Sequence, residues 1–531
     1  MKRYIKLLLI PVSLLLLTVG CKKNFLDSKP LDRYSDADVW EDSTLANLFL
    51  NNIYAGIPTE FAGTMTDALS DELYSSSNIS VYQGTFLPAS LPYALINMWD
   101  NSWSKIRRCN MYLENVNRLP ASDVFKKRTA DEVRFLRALY YSYLANYFGA
   151  VPLITATQDL NGDLNVSRTP YAGVVSFITK QLDSIYQNGH LPFKYAKADM
   201  GRVTRGAALA LKSRVLLYAA GYDNNWQAAY DAAKAVIDIE GQAGYGLFPQ
   251  YETLFHEAND NNLEVIFDHQ YLSNFKGYHV HHYNLPWGLV PPGPSALNQP
   301  TQNIVDEYEM ANGKMINESG SGYDAAQPYV NRDPRFYASI FYDGAFWSGT
   351  TLDFKLGSNN NPSSSPLTTG YALRKMQEPT FNPFDLSKSY GGGQNNILLR
   401  YAEVLLNAAE AAFELGRVEE ARGYINRVRN RAGMPEIPAG QLTLDKIRHE
   451  RTIELAFEGT RLWDIRRWKL GPQKLGVDMR GVSITESGSG AREYNMITVQ
   501  SRSFSDKMYL FPIYQTEIDK NPNLKPNNPG W

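Results

Sequence analysis

The stretch that decides the fold is residues 396–432, which read NILLRYAEVLLNAAEAAFELGRVEEARGYINRVRNRA. Gly416 divides this stretch into two segments, and each carries apolar residues three or four positions apart. The apolar positions are Ile397, Tyr401, Val404, Leu405, Ala408 and Phe413 in the first segment, and Val418, Ala421, Ile425 and Val428 in the second. This spacing predicts helices over 396–415 and 417–432 that fold back on each other as a hairpin of the tetratricopeptide kind.

A second hairpin of this kind is predicted near the middle of the chain. Residues 204–220 and 226–239 carry small and apolar residues at helical spacing, which lets two helices approach closely. The pair spans about 34 residues, the tetratricopeptide period. Further helices are predicted at 43–56, 100–118, 129–148, 171–187 and 443–458. The sequence therefore predicts a mainly α-helical protein with a scaffold of helical hairpins.

The character of the sequence changes between Gly241 and Gln394. Extended runs such as Glu264–Gln270 are short there and are separated by Gly, Pro and Asn. Residues 285–294 contain four Pro and two Gly, which excludes a regular helix or a central strand. We expect a loop-rich variable region with short strands, and long structured loops in a compact protein are usually functional.

The composition and charge exclude one class of partner. Hydrophobic residues make up 44% of the 531 residues and charged residues 20%, as in an ordinary globular protein, and the formal net charge is −2. Nucleic-acid binding needs a basic patch, so no nucleic-acid partner is predicted. The chain contains 34 Tyr and 9 Trp, whose flat apolar rings with a polar group suit interfaces and sugar rings.

The amino terminus is typical of an exported lipoprotein. Basic residues precede the apolar run Leu7–Leu17, which is too short to span a bilayer and fits the core of a signal peptide. The sequence LTVGC at 17–21 places small residues before Cys21, as in a bacterial lipobox. We expect removal of residues 1–20 and lipid on Cys21, whose acyl chains would hold the protein on a membrane. A plain secretory signal with an incidental Cys is the alternative.

The most specific blocks of sequence lie towards the carboxyl terminus. They read INRVRNRAG at 425–433, ERTIELAFEG at 450–459 and DIRRW at 464–468, and RFLRALY at 134–140 accompanies them. In order, spacing and residue type these blocks resemble the SusD/RagB family of glycan-binding lipoproteins. The resemblance extends over nearly the whole chain.

The resemblance implies an α-helical protein in which four tetratricopeptide-like units support a variable, loop-rich face. It also implies a lipid-anchored position on the outer membrane, facing outward, and a SusC-like TonB-dependent barrel as the partner that receives oligosaccharide. Members of the family are non-enzymatic. Their sugar-contacting residues vary with the glycan, so the resemblance transfers no binding residue to this sequence.

The chain is accordingly divided into five segments. They are a signal peptide at 1–20, a lipidated tether at 21–42, an N-terminal helical region at 43–240, a loop-rich ligand-facing region at 241–394 and a C-terminal helical region at 395–531. We expect residues 21–531 to form one compact body.

Candidate sugar-binding residues are aromatic residues on irregular segments, where rings are freer to be exposed than on a helix stripe. Exposed rings stack on sugar rings, and nearby polar side chains bond the hydroxyls. The candidates are Trp287, Trp347, Tyr283, Tyr82, Phe86 and Tyr278, with the two tryptophans foremost. The residues predicted to be core instead are Trp99, Trp103, Trp463 and Trp468.

No metal or other cofactor is predicted. On a strand, His279 and His281 would share a face beside His282, but no second group with zinc-like spacing accompanies them. Residues 259–262 could offer oxygen ligands to calcium, yet they lack the spacing of a calcium loop, and turn chemistry explains them.

The sequence favours a non-catalytic protein that captures oligosaccharide for a transporter. It has no Gly-x-Ser-x-Gly elbow and no His-Glu-x-x-His motif. Glu403 and Glu410 could be the paired carboxylates of a glycoside hydrolase, but we interpret them as ion-paired lining between helices. The alternatives left open are a surface glycoside hydrolase, a structural adaptor and a peptide-binding lid of the transporter.

Overall fold

The backbone is dominated by helices. A computed structural model describes residues 36–58, 65–76, 79–159, 161–273, 275–291, 295–385 and 391–531. The helices of this part of the chain are α1 (Asp36–Glu41), α2 (Ser43–Tyr54), α3 (Ile79–Tyr82), α4 (Tyr93–Asn115), α5 (Asp123–Phe148), α6 (Tyr171–Asn188), α7 (Arg205–Asp223), α8 (Trp226–Asp238), α9 (Glu240–Ala243), α10 (Val280–Asn284), α11 (Gln302–Glu307), α12 (Pro334–Ser339), α13 (Tyr401–Glu414), α14 (Val418–Arg431), α15 (Leu444–Glu454), α16 (Arg461–Arg467), α17 (Gly471–Lys474) and α18 (Gln515–Lys520).

Helices α7 and α8 form one of the two predicted hairpins. Thr204 caps α7, because its hydroxyl accepts a hydrogen bond from the Ala207 N–H at 3.1 Å. Asn224 ends α7 in the left-handed conformation, at φ 59°, and Asn225 then caps α8 by accepting from the Ala228 N–H. Local signals of this kind explain why the hairpin is visible in the sequence.

Helices α13 and α14 form the other hairpin, and the two hairpins are neighbours in space. Gly416 makes the turn between α13 and α14 at φ 76°. Helix α13 packs against both α7 and α8, and the small residues Ala408, Ala409 and Ala411 on α13 are fully buried. The helical stack is therefore continuous, although the loop-rich region separates the hairpins in sequence. The predicted mainly α fold with a helical-hairpin scaffold is confirmed.

The strands are short, and every sheet in the described ranges has two strands. In chain order they are β1 (Leu73–Tyr74), β2 (Val151–Pro152), β3 (Arg168–Thr169), β4 (Val265–His269), β5 (Gln299–Pro300), β6 (Ile340–Phe341), β7 (Phe346–Trp347), β8 (Thr350–Thr351), β9 (Ala372–Leu373), β10 (Asn396–Arg400), β11 (Met479–Glu486) and β12 (Arg492–Gln500).

The helix predicted over 396–415 begins only at Tyr401. The five residues before it form β10, which pairs antiparallel with β4. The prediction is wrong at this point because a short apolar run such as 397–399 fits a strand as well as a helix, and the partner strand is distant in sequence.

The loop-rich region has a hydrophobic core of its own. Its fully buried members include Tyr308, Phe336 and Tyr371. The hairpin of β11 and β12, which the sequence pattern does not predict, joins this core through Val482 and Ile484. The variable region is therefore a packed body rather than a set of loose loops.

The amino-terminal predictions fall largely outside this description. The signal peptide at 1–20, the lipidation site Cys21 and the tether up to residue 35 lie outside the described residues. The last part of the predicted tether forms helix α1, because Trp40 is buried against the main core.

A buried cluster of charges, here called the ionic seam, joins the loop-rich region to the C-terminal helices. Its members are Glu264, Arg335, Arg400, Glu450 and Glu454. Arg335 bonds Glu450 at 2.6 Å and Glu454 at 3.1 Å, and Arg400 bonds Glu264 at 2.6 Å and Glu454 at 2.7 Å. Because a buried charge is tolerated only when it is paired, the seam specifies how the two regions meet.

Candidate functional site

Two of the six candidate aromatic residues lie in the protein interior. Tyr82 is buried beneath the guanidinium of Arg502, which lies 4.5 Å from the ring centre. Phe86 is buried against Phe511 and Trp531, with ring centroids 6.2 and 4.6 Å away. The prediction that both residues expose their rings is wrong, because the end of the chain covers the irregular segment that carries them.

Trp347 is also buried, and its neighbour Phe346 is exposed instead. Both lie in β7, where successive side chains point to opposite sides. Trp347 is 6% exposed, packs edge-on against Phe341 at 4.9 Å and lies 5.3 Å from the guanidinium of Arg374. Phe346 is 67% exposed. The prediction that Trp347 is exposed is therefore wrong: the neighbouring residue of the same strand, Phe346, carries the exposed ring.

Tyr278 is buried and faces an interior cleft. Its ring stacks on Tyr271 at 5.0 Å, and Asn396 Nδ2 donates to its hydroxyl oxygen at 2.8 Å. Its backbone exchanges two hydrogen bonds with Gly392, and a Cβ at Gly391 would lie 2.7 Å from the Tyr278 carbonyl oxygen. The glycine run thus allows close contact between two backbones, and Tyr278 offers no exposed platform.

The histidine cluster lies on helix α10 rather than on a strand. His279 precedes α10 and meets His282 at 5.9 Å and Tyr283 at 5.7 Å between ring centroids. His281 points inward, stacks on Phe381 at 4.2 Å and contacts Gln377 Oε1 through Nδ1 at 3.1 Å. The strand geometry considered for His279 and His281 is therefore wrong, since the helix sends them to different sides.

The histidine rings are neutral at neutral pH. Burial lowers the pKa of His281 to about 4, and burial also lowers the pKa of His279 and of His282. Neutral imidazole rings can stack and hydrogen-bond without adding charge to the surface.

Tyr283 and Trp287, the two remaining candidates, are half-buried at the surface around α10. The carbonyl oxygen of Trp287 accepts a hydrogen bond from Asn360 Nδ2 at 2.8 Å, which fixes the backbone there. The indole Nε1 of Trp287 has no hydrogen-bond partner within the described part of the chain. These two residues are placed where a ligand could reach them.

Neighbouring loops extend this surface into an aromatic face. The hairpin of β7 and β8 contacts the next loop, because Ser348 Oγ donates to the Pro379 carbonyl oxygen at 3.1 Å. That loop supplies Phe381 beneath the histidines and continues to Phe384, which is 54% exposed. The aromatic face consists of His279, His282, Tyr283, Phe346 and Phe384.

Polar groups accompany these rings. Glu378 lies between Gln377 and Phe381 in the same loop, accepts from the Thr380 hydroxyl at 2.9 Å and accepts from the Glu257 N–H at 3.2 Å. Ring faces with a carboxylate beside them can stack on a sugar ring and accept from its hydroxyls. Of the six candidate residues, only Tyr283 is a member of this face; strand alternation is the signal that favours exposure of Phe346 over exposure of its neighbour Trp347.

A second concave feature, the inner cleft, lies behind Tyr278 between the helical scaffold and the loop-rich region. Its volume is about 910 Å³ including the open mouth. Helix α5 lines it with Ser142, Tyr143, Asn146 and Tyr147, which share one helix face. The remaining walls come from α7, β10, Trp463 and the turn at 457–459.

A buried carboxylic acid, Asp67, lies at the edge of this cleft. Both carboxylate oxygens of Asp67 accept from the Gly459 N–H at 2.9 Å, and Glu72 accepts from the Phe457 N–H at 3.1 Å. Phe457 adopts a left-handed φ of 64°. Burial raises the pKa of Asp67 to about 6 and raises that of Glu72 well above its usual range. The two acids hold a strained turn.

Glu403 and Glu410, the two carboxylates considered for glycoside hydrolysis, each form an ion pair with an arginine. Glu403 accepts from Arg214 at 2.7 and 2.6 Å, and Glu410 accepts from Arg467 at 2.6 Å and from the Trp468 indole at 2.8 Å. The interpretation of both residues as ion-paired lining is confirmed. Within the described ranges no three His, Cys, Asp or Glu side chains are grouped so that they could hold a metal ion. In the same ranges, no helix combines the length and apolarity needed to cross a membrane.

Known families match both halves of the chain. The model of the SusD family matches residues 263–531, and a family model described as starch-binding associating with outer membrane matches residues 24–217. SusD-like protein P2 of Formosa agariphila is 25% identical over 558 aligned positions, which cover 98% of each chain.

Solved structures share the fold along almost the whole chain. A SusD-like protein of Bacteroides fragilis matches with a TM-score of 0.81 and 29% identity, covering 95% of this chain and all of the other. A SusD-like carbohydrate binding protein of the same species matches with a TM-score of 0.78 and 26% identity, covering 92% of this chain and 99% of the other. Since the family model spans half of the sequence and the fold agrees, the chain belongs to the SusD family.

Proposed function

We propose that this protein binds oligosaccharide at the aromatic face and passes it, unchanged, to a SusC-like TonB-dependent barrel in the outer membrane. The observation that carries the proposal is the aromatic face itself, in which the half-buried rings around α10 contact one another. The exposed rings of Phe346 and Phe384 lie on the hairpin and on the loop that adjoin this surface. Solvent-exposed rings beside a carboxylate are the chemistry that sugar rings require. A relative with the same fold is named a carbohydrate binding protein, which supports the same ligand class.

The absence of catalysis is part of this proposal. General acid and base catalysts must reach the substrate and exchange protons with it. Glu403 and Glu410 are buried and paired with Arg214 and Arg467, so neither is free to act on a glycosidic bond. Surface binding without chemistry fits these positions better than hydrolysis.

The position of the protein in the cell follows from the same proposal. Cys21 would carry the lipid that anchors the chain to the outer membrane, with the aromatic face towards the glycan outside. A family description that mentions association with the outer membrane supports this location. A lipid anchor leaves the folded body free to move as a lid over the barrel.

A handover function also predicts weak binding. A ligand that must leave towards the barrel cannot be held with a long residence time, so we expect a Kd in the micromolar range or weaker, about −8 kcal/mol in binding free energy or less in magnitude. The rings of His279, His282 and Tyr283 already contact one another, so little side-chain ordering accompanies binding.

The test is a glycan array followed by calorimetry, with the full-length protein and the double variant Tyr283→Ala and Phe346→Ala. Each lost stacking contact is expected to contribute about 0.5–1.5 kcal/mol, so the affinity for the bound glycan class should fall between about five-fold and about 150-fold. The matched control is Tyr93→Ala with Tyr222→Ala, which removes two exposed rings from the helical scaffold and should leave binding unchanged.

Three other outcomes would change the conclusion. Binding that survives the face substitutions would move the site elsewhere on the molecule. Release of a product from any bound oligosaccharide would favour a surface hydrolase. If no glycan binds at millimolar concentration, a structural adaptor or a peptide-binding lid becomes the better account.

A further inference from the structure

One deeply buried polar group in the inner cleft lacks a hydrogen-bond partner among the described residues. Tyr218 on α7 is only 4% exposed, and its hydroxyl has no hydrogen-bond partner within the described ranges. Tyr143 and Asn146 on α5 line the same cleft, and both side chains are half-buried. A buried polar group without a partner destabilises the fold, so native proteins usually satisfy such groups with water or with a ligand.

Regular helix geometry aims all three side chains into one space. Tyr143 and Asn146 are three residues apart on α5 and therefore lie on the same side of that helix. Tyr218 follows Arg214 by four residues on α7, which packs next to α5 around the cleft. A binding site built on helices is held more rigidly than one built on loops.

Two of the three charged side chains that line the cleft are ion-paired, and the third, Asp67, accepts from the Gly459 N–H at the cleft edge. Arg214 pairs with Glu403, and Glu458 pairs with Lys375 and Arg400, each at 2.6 Å. The groups that remain free to bind are two phenol hydroxyls and one amide, all of them neutral. The cleft therefore favours a neutral ligand with several hydroxyl groups over a charged one.

We infer that the inner cleft is a second binding site, which takes a single ring of a neutral sugar through Tyr143, Asn146 and Tyr218. The half-buried indole of Trp463 lines the same cleft and offers an apolar surface for the ring. The choice of sugar as the ligand rests on the proposed function.

The cleft and the aromatic face are separated by one layer of backbone. Tyr278 and Met376 line the cleft, whereas the next residues along the chain, His279 and Gln377, lie on or beneath the aromatic face. The two sites therefore differ in kind: the face suits several linked rings, and the cleft admits one.

The test compares two variants by calorimetry with glucose, galactose, mannose and xylose, and with linear oligosaccharides of each. The cleft variant is Asn146→Ala with Tyr218→Phe, and the face variant is Tyr283→Ala with Phe346→Ala. We expect at least one monosaccharide to bind the wild type and to bind the cleft variant about ten-fold more weakly, since two hydrogen bonds are lost. The face variant should bind that monosaccharide normally.

The variants are chosen so that the fold is retained. Tyr218→Phe keeps the ring and removes only an unpartnered hydroxyl, so the thermal unfolding midpoint should stay the same or rise slightly. If Asn146→Ala lowers the midpoint, Tyr218→Phe alone serves as the cleft variant, with an expected loss of about three-fold or more.

The outcomes separate the two proposals. Cleft substitutions that leave every sugar titration unchanged, while the face variant loses oligosaccharide, would mean that the cleft holds only water; the second site would then be refuted and the proposed function retained. Loss of monosaccharide binding in the cleft variant, with oligosaccharide binding intact in the face variant, would support the second site and refute the assignment of the face. If the wild type binds oligosaccharide but none of the monosaccharides, the second site is refuted and the proposed function is retained; only if the glycan array also shows no ligand do both proposals fail.

Discussion

The ionic seam and the aromatic face differ in how deeply their side chains are buried and in how many partners those side chains have. In the seam, Arg400 is 2% exposed and is bonded to three carboxylates at 2.6–2.7 Å. On the aromatic face, Phe346 and Phe384 expose more than half of their surface, and the partly buried rings of the face contact mainly one another.

This difference separates stability from recognition. Removing one member of the seam leaves uncompensated charge in a dry interior, whereas removing a ring of the face uncovers surface that water already reaches. If the aromatic face binds the glycan as proposed, its rings can vary with little effect on the free energy of unfolding. Each prediction below tests one side of this comparison.

The largest effect is expected in the seam. Arg400→Met should lower the free energy of unfolding by about 3–5 kcal/mol, because Glu264, Glu454 and Glu458 lose a shared cation. Chemical denaturation followed by circular dichroism measures this change.

Two further variants calibrate that measurement. Arg400→Lys keeps the charge but loses the planar fork that reaches three carboxylates, so an intermediate loss is expected. Lys520→Met breaks the exposed pair with Glu517 and should change the free energy of unfolding by no more than about 0.5 kcal/mol. Equal effects from Arg400→Met and Lys520→Met would contradict the role given to the seam.

The next effect separates two neighbours in β7. Trp347→Ala should destabilise the protein by about 3 kcal/mol, because it opens a cavity beside Phe341, whereas Phe346→Ala should cost less than about 0.5 kcal/mol. Thermal and chemical unfolding of the two single variants provide the comparison. A stable Trp347→Ala protein that has lost glycan binding would instead restore Trp347 as the platform.

The hairpin scaffold was predictable because its signals are local. Apolar spacing, the cap at Thr204 and the turn at Gly416 all lie within the helices they specify. Strand β10 was not predictable from local signals, because residues 396–400 form a strand only by pairing with β4, which is distant in sequence. The hairpin of β11 and β12 was not predicted either. The side of β11 that faces inward is set by contacts with the core of the loop-rich region, which is distant in sequence.

The proposed binding surface was predictable only where the exposure of a side chain follows from the local segment. Tyr283 and Trp287 remain at the surface, but Tyr82 and Phe86 are covered by residues from the far end of the chain, which no local pattern reveals. The helical spacing over 129–148 does not distinguish Tyr143, which lines the inner cleft, from the buried positions of α5. Tyrosine fits both descriptions because its ring is apolar and its tip is polar.

Of the four tryptophans predicted to be core residues, two are buried and two are only half-buried. Trp99 and Trp468 are buried as predicted. Trp103 and Trp463 are packed against the main core but only half-buried. Scaffold motifs therefore indicate which helix a residue belongs to, but they do not indicate whether a cleft opens beside it.

The smallest effect is a pH dependence at the edge of the seam. Burial raises the pKa of Asp67 to about 6, from an ordinary value of 3.8, and Glu72, Glu458 and Lys375 are the charged groups that influence it. A carboxyl whose folded pKa is raised stabilises the fold while protonated, and that stabilisation is lost as the pH rises from the unfolded towards the folded pKa. The pKa of Glu454 is shifted in the opposite direction. Burial alone would raise that pKa, but Arg431, Arg400 and Arg335 together lower it. The charged form of Glu454 therefore stabilises the fold, and this stabilisation is lost as the pH falls.

Asp67→Asn removes this titration and keeps one oxygen that accepts from Gly459. Between pH 4 and pH 6 the wild type should therefore lose about 2 kcal/mol of unfolding free energy relative to the variant, since one pKa unit corresponds to about 1.4 kcal/mol. Denaturation at pH 4, 5 and 6 measures the difference, and Glu72→Gln should show the same sign because burial also raises the pKa of that carboxyl. A difference that stays constant with pH, or that grows as the pH falls, would place Asp67 with Glu454 among the carboxylates that the seam stabilises in their charged form.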